Sequence, residues 1–108
     1  SQMDVVTFDD LSEKEPMVGF KGRFVHADRM TIVRWDIAPG SLLPEHSHVQ
    51  EQITTVLSGE FEMVINGTAH RLGSGAVAVI PSNTLHGGRA VTACRAIDVF
   101  HPVRDDYR

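Results

Sequence analysis

The dipeptide Asn66-Gly67 constrains this chain more than any other feature. Both residues tolerate positive φ, as a two-residue hairpin turn requires, so the run ending at Ile65 should fold directly back onto the one beginning near Ala69. Around this turn the sequence reads as short alternating segments rich in Val, Ile, Thr and Phe, broken by Gly, Pro and Asn. That pattern predicts an all-β chain of short antiparallel strands, as in a sandwich or barrel. Strands are expected near Val18–Val25, Met30–Ile37, Gln52–Leu57, Phe61–Ile65, Ala69–Leu72, Ala76–Ile80 and Cys94–His101. Ser58-Gly59 marks a second turn, and Ala38-Pro39-Gly40 and Gly73-Ser74-Gly75 mark loops. Only Asp9 to Lys14 could hold a turn of helix, capped by Asp9 or Asp10.

No linker, repeat or low-complexity stretch divides the 108 residues, so residues 1–108 are expected to form one domain. Ser1 and Gln2 precede Met3 and read as an addition ahead of the initiating methionine. The net charge of −4, with ten scattered Lys and Arg, argues against a nucleic-acid partner. Neither a membrane helix nor a signal peptide is evident, which predicts a cytoplasmic protein with no membrane partner. The single cysteine, Cys94, suits a reducing compartment and lies in an apolar strand pattern, where a buried, unreactive thiol is expected. A barrel this small that gives its interior to a polar site has little core to spare. A homodimer is therefore expected, with a strand around Val5–Phe8 as the interface or exchanged element.

Chemistry concentrates between Pro39 and Gln52. His46 and His48 are two apart, and on an extended strand that spacing turns both rings to one face, where they can share an ion. Taken alone, a His-x-His pair reads more often as two polar side chains on an exposed strand. Gln52 has the same parity, and His86 follows a Pro81-Ser82-Asn83 turn in a stretch that can pair with them. Glu51 could ligate in place of Gln52, but it has the opposite parity.

The wider spacing decides between these readings. Five residues separate Gly40 from His46, three separate His48 from Gln52, and six separate Gln52 from Gly59. Later, Gly75 is followed by five residues, Pro81, one residue, Asn83, two residues and His86. This series resembles the two signature motifs of the cupin superfamily. Gln52 stands where Glu is usual, Asn83 replaces a Gly and Ala90 replaces an Asn. The resemblance spans about Trp35 to Phe100. It implies a double-stranded β-helix, the jelly-roll antiparallel barrel of a small single-domain cupin, with His46, His48, Gln52 and His86 as ligands to one divalent metal ion. Asn83 is a mild departure, because Asn tolerates a left-handed turn. Gln52 matters more: an all-neutral shell leaves the ion its full double charge, which favours an anionic ligand and Lewis-acid chemistry. Such a donor set does not choose among Ni, Fe, Zn, Mn and Co.

Alternation places Cys94, Ala96, Asp98 and Phe100 on one face of the last strand, and one acid beside one aromatic suits a small polar substrate. The ending Asp98-Val99-Phe100-His101-Pro102-Val103-Arg104-Asp105-Asp106-Tyr107 resembles the closing segment of the KdgF family. These cupins linearise 4,5-unsaturated monouronates from pectin and alginate to a 5-keto-4-deoxyuronate. The stretches His46-Ser47-His48, Glu51-Gln52-Ile53 and Val56-Leu57-Ser58-Gly59-Glu60-Phe61 resemble the same group. The resemblance implies Asp98 as proton-transfer group, Arg104 as a two-pronged partner for a uronate carboxylate, and Phe100 packed on the sugar ring. Polyketide cyclase cupins share the ligand set and a similar ending, but seven aromatics in the chain tilt the expectation toward a sugar acid. An iron dioxygenase lacks support because the two-His-one-carboxylate pattern is absent. A non-catalytic metabolite-binding cupin stays open. His26 and His70 are expected at the surface, His101 facing away from Asp98, and Met30, Met63 and Trp35 in the core. Arg23 and Arg34 could reach the barrel mouth only if their strands present that face.

Overall fold

The computed structural model describes residues 4–108. Ten strands form two antiparallel sheets, and no α-helix occurs among the described residues. In chain order the strands are β1 (Lys14–Met17), β2 (Phe20–His26), β3 (Thr31–Ile37), β4 (Leu42–His46), β5 (Glu51–Ser58), β6 (Phe61–Ile65), β7 (Thr68–Leu72), β8 (Val77–Ile80), β9 (His86–Ala90) and β10 (Cys94–His101). One sheet has the order β1-β2-β3-β10-β5-β8 and the other β4-β9-β6-β7. Their apposed faces enclose the core, in which Phe20, Val33, Trp35, Val56, Phe61, Ile80 and Phe100 are buried.

The Asn66-Gly67 turn forms as its chemistry demands, with φ of 48° and 84°, and pairs Ile65 with Thr68. Asn83 also adopts the left-handed region, at φ 61°. Period-two burial is clearest in β3 and β10, whose inward residues alternate with outward ones along the whole strand. Phe20 meets Trp35 and Phe61 edge-on, with ring centroids 5.9 and 6.4 Å apart. Such pairs add about 0.5–1.5 kcal/mol each beyond their area.

The structure corrects several expectations. Strands β1 and β9 lie outside the expected set, and β4 covers only His46 of the extended strand expected for His46 and His48. Val18 belongs to the turn between β1 and β2, not to a strand. Residues 5–7 form no strand, and Val5 is 87% exposed, so the proposed Val5–Phe8 strand is absent. The helical turn is a short 3-10 segment at Phe8–Asp10 whose N-cap is Thr7, with no side-chain cap; Asp9 lies inside it and its carboxylate accepts from Arg34 Nη2 at 2.6 Å instead. Met30 is 46% exposed rather than core. Arg23 and Arg34 pair across β2 and β3 on the outer face and bind the segment around Asp9 and Leu11, away from the mouth. His26 is half-buried and bonded to Thr31 Oγ1 at 2.8 Å, whereas His70 is exposed.

Candidate metal centre

Register builds the site at one end of the barrel. His46 closes β4 and His86 opens β9, and the two are direct cross-strand partners. Gln52, near the start of β5, lies opposite Phe100 near the end of β10, and Thr54 lies opposite Asp98. His48 falls beyond the end of β4, so its agreement with His46 comes from an extended segment and not from the continuous strand expected. A bend at residues 49–50 separates it from Gln52. Ring centroids are nevertheless 5.6 Å apart for His46 and His48, 4.3 Å for His46 and His86, and 4.9 Å for His48 and His86.

Each histidine is oriented by a main-chain carbonyl two residues away. Nδ1 of His46 lies 2.8 Å from Pro44 O, that of His48 2.9 Å from Gln50 O, and that of His86 2.8 Å from Thr84 O. A carbonyl only accepts, so each Nδ1 carries a ring proton and Nε2 is the nitrogen left for an ion. One nitrogen from each ring falls within 4.8 Å of the other two. Ligands ~2.1 Å from a shared ion sit roughly 3–4 Å apart, so small ring shifts close the set. Burial holds the His86 ring neutral, with its pKa lowered to about 4, and lowers that of His48 as well. His46, His48 and His86 thus form a group able to hold a metal ion.

Gln52 adds an observation that fits a cation. Its Oε1 lies 3.0 Å from His48 Nε2, so two lone pairs face each other across the cluster. The Gln52 Nε2 donates to Thr54 Oγ1 at 2.8 Å, and Thr54 donates to Asp98 Oδ1 at 2.5 Å. Trp35 Nε1 donates to Asp98 Oδ2 at 3.0 Å. Glu51 is exposed on the outer face of β5.

Asp98, Phe100 and Arg104 meet His46, Gln52 and His86 in one interior pocket. Burial pushes the Asp98 pKa up, opposed by the hydrogen bonds from Thr54 and Trp35. Arg104 is only 6% exposed, and its guanidinium lies between the rings of Phe100 and Tyr107, 4.7 and 4.2 Å from their centroids. Its Nε and Nη2 already hold Asp106 in a two-pronged pair, at 3.0 and 2.8 Å. The backbone N–H of Arg104 donates to Thr31 Oγ1 at 2.9 Å and ties the closing segment to β3. His101 is exposed, on the face opposite Asp98. Cys94 is buried and burial raises its thiol pKa, in keeping with an unreactive group.

Sequence reasoning missed Thr54 and Asp106 and gave Trp35 only a core role. The inward parity of Thr54 with Gln52 was available, but its pairing with Asp98 depends on strand register. The pocket is also more aromatic than composition suggested, because Phe20, Trp35, Phe61, Phe100 and Tyr107 all border it.

Residues 33–100 match the family model described as "Cupin domain". The pectin degradation protein KdgF of Dickeya dadantii (strain 3937) is 31% identical over 83 residues, covering 75% of this chain and 76% of that protein. The structure of KdgF from Halomonas sp. superposes with a TM-score of 0.91 at 26% identity, covering 99% of this chain and all of that one (100%). The polyketide cyclase RemF from Streptomyces resistomycificus superposes at 0.80 with 26% identity, covering 95% of this chain and 84% of that one.

Proposed function

The chain belongs to the cupin family, and from that premise we propose that it is a metal-dependent isomerase that linearises 4,5-unsaturated monouronates. One observation carries the reading: His46, His86 and the Gln52 amide line the same pocket as a buried acid and a buried guanidinium, and His48 completes the histidine group. His46, His48, Gln52 and His86 would hold the ion. When bound, a divalent ion there supplies a Lewis acid that draws charge from a substrate oxygen.

The chain's own residues account for the remainder. Arg104 has Nη1 and the free side of Nη2 left to donate, which orients an anionic carboxylate at the pocket while Asp106 holds the other edge. Phe100 packs against the guanidinium and keeps water from its face. Asp98, made more basic by burial, takes the proton from the anomeric hydroxyl oxygen. The ring C1–O5 bond then breaks, leaving an aldehyde at C1 and an enolate at C5. The same proton is returned to C4, giving the C5 ketone. No atom is gained or lost and no electron acceptor is needed.

The test is to incubate the protein, loaded with one equivalent of zinc(II) or nickel(II), with unsaturated galacturonate and mannuronate, and to follow the C4 alkene proton by NMR. Loss of that signal with growth of the keto product supports the reading, and unchanged substrate overturns it. The aromatic pocket and the likeness to RemF favour a second reading, cyclisation of a polyketone chain. Against it, Phe20 holds Trp35 and Phe61 edge-on in the core, while Asp98 and Arg104 bring charge to the pocket lining. Turnover of a polyketone but not a uronate would establish it.

A further inference from the structure

The geometry points to Thr54 as a positioning residue that sets which end of the Gln52 amide faces the histidine cluster. The inference rests on the reading of Gln52 as the fourth donor. It follows from counting protons along one hydrogen-bonded chain. Trp35 Nε1 can only donate, so Asp98 Oδ2 must accept there, at 3.0 Å. With Asp98 ionised, as its proposed role as a base requires, the single proton of the Thr54 hydroxyl lies on Asp98 Oδ1 across 2.5 Å, the short range of a charge-assisted bond. With that proton spent, Thr54 Oγ1 can only accept from its other neighbour. The group 2.8 Å away must therefore be the N–H of Gln52. An amide has two ends, and fixing the nitrogen on Thr54 turns Oε1 toward His48 Nε2, 3.0 Å away.

Strand geometry makes the chain rigid. Gln52 and Thr54 are successive inward residues of β5, both buried, and β10 places Asp98 directly opposite Thr54. Without the hydroxyl the amide loses the acceptor that fixes its nitrogen, and its NH2 group can turn toward a cation it cannot ligate. The same wiring makes Asp98 a second positioning element for Gln52, acting through Thr54.

Affinity for zinc(II), measured by competition with a chromophoric chelator, tests this, together with the visible spectrum of the cobalt(II)-loaded protein. Thermal unfolding of each metal-free variant checks that it folds. Thr54→Val should weaken zinc(II) ~10–100-fold and move the cobalt(II) spectrum toward that of Gln52→Leu, as loss of an orienting partner does. Thr54→Ser keeps the hydroxyl and should bind within about threefold of the unaltered protein. Adding Asp98→Asn to Thr54→Val should cost less than Asp98→Asn costs alone, because the relay is already cut. Unaltered affinity and spectrum in Thr54→Val, with both changed in Gln52→Leu, overturn the role of Thr54. An unaltered Gln52→Leu overturns the underlying ligand assignment instead. An additive loss in the double variant contradicts the relay through Thr54.

Discussion

Trp35 Nε1 donates to Asp98 Oδ2 at 3.0 Å, which fixes one edge of a buried acid in the pocket and leaves the other to Thr54. An asparagine at 98 must offer its oxygen to this donor-only indole, so its NH2 faces Thr54 and it has no basicity. Asp98→Asn should lower turnover of an unsaturated monouronate by ~10²–10⁴. Measuring kcat at saturating metal separates this loss from any weakening of the ion. A variant with full turnover would remove Asp98 from the chemistry.

Arg104 combines a fork to Asp106 with stacking between Phe100 and Tyr107. Lysine reproduces the charge but neither the plane nor the fork. Arg104→Lys should raise KM for the uronate ~10-fold with a smaller effect on kcat. Steady-state kinetics with a carboxyl-reduced substrate should show no such difference.

The metal-free protein should lose stability on acidification. The His86 pKa falls to about 4 in the fold, from 6.5, chiefly through burial. Below 6.5 the unfolded chain binds a proton that the folded one refuses, so this contribution is complete above 6.5 and drains away as pH drops toward 4. The loss is on the order of 3 kcal/mol. Urea titration of chelator-treated protein between these limits should show it, and His86→Gln should flatten the dependence.

Gly88 sits in β9 where a Cβ would lie 2.1 Å from Glu62 O, a main-chain atom that cannot move aside. Gly88→Ala should destabilise the protein by at least ~2 kcal/mol, measured by thermal or urea unfolding. Wild-type stability would mean that β6 and β9 are spaced more widely than described.

The same glycine shows where the sequence was silent. His86-Gly87-Gly88-Arg89-Ala90 has almost no β propensity, and it forms a strand because β4 and β6 approach too closely for side chains. Pro44 in β4 and Pro16 in β1 hid those strands in the same way. Where alternation is regular, as in β3 and β10, position and facing were both legible, including the inward turn of Asp98 and Phe100. The histidines were legible through spacing, because a ligand set leaves a periodic mark. Thr54 and Asp106 were not: what matters about each is the partner that tertiary register or a terminal turn supplies.

Turnover by protein stripped of metal tests the central claim most directly. Chelator-treated, folded protein is mixed with unsaturated galacturonate, and the alkene proton is followed by NMR before and after one equivalent of divalent ion is added. The expected result is no conversion beyond the spontaneous rate without metal, and conversion restored by that single equivalent. Conversion that persists without metal, or substrate left untouched by protein shown to have bound the ion, would contradict it.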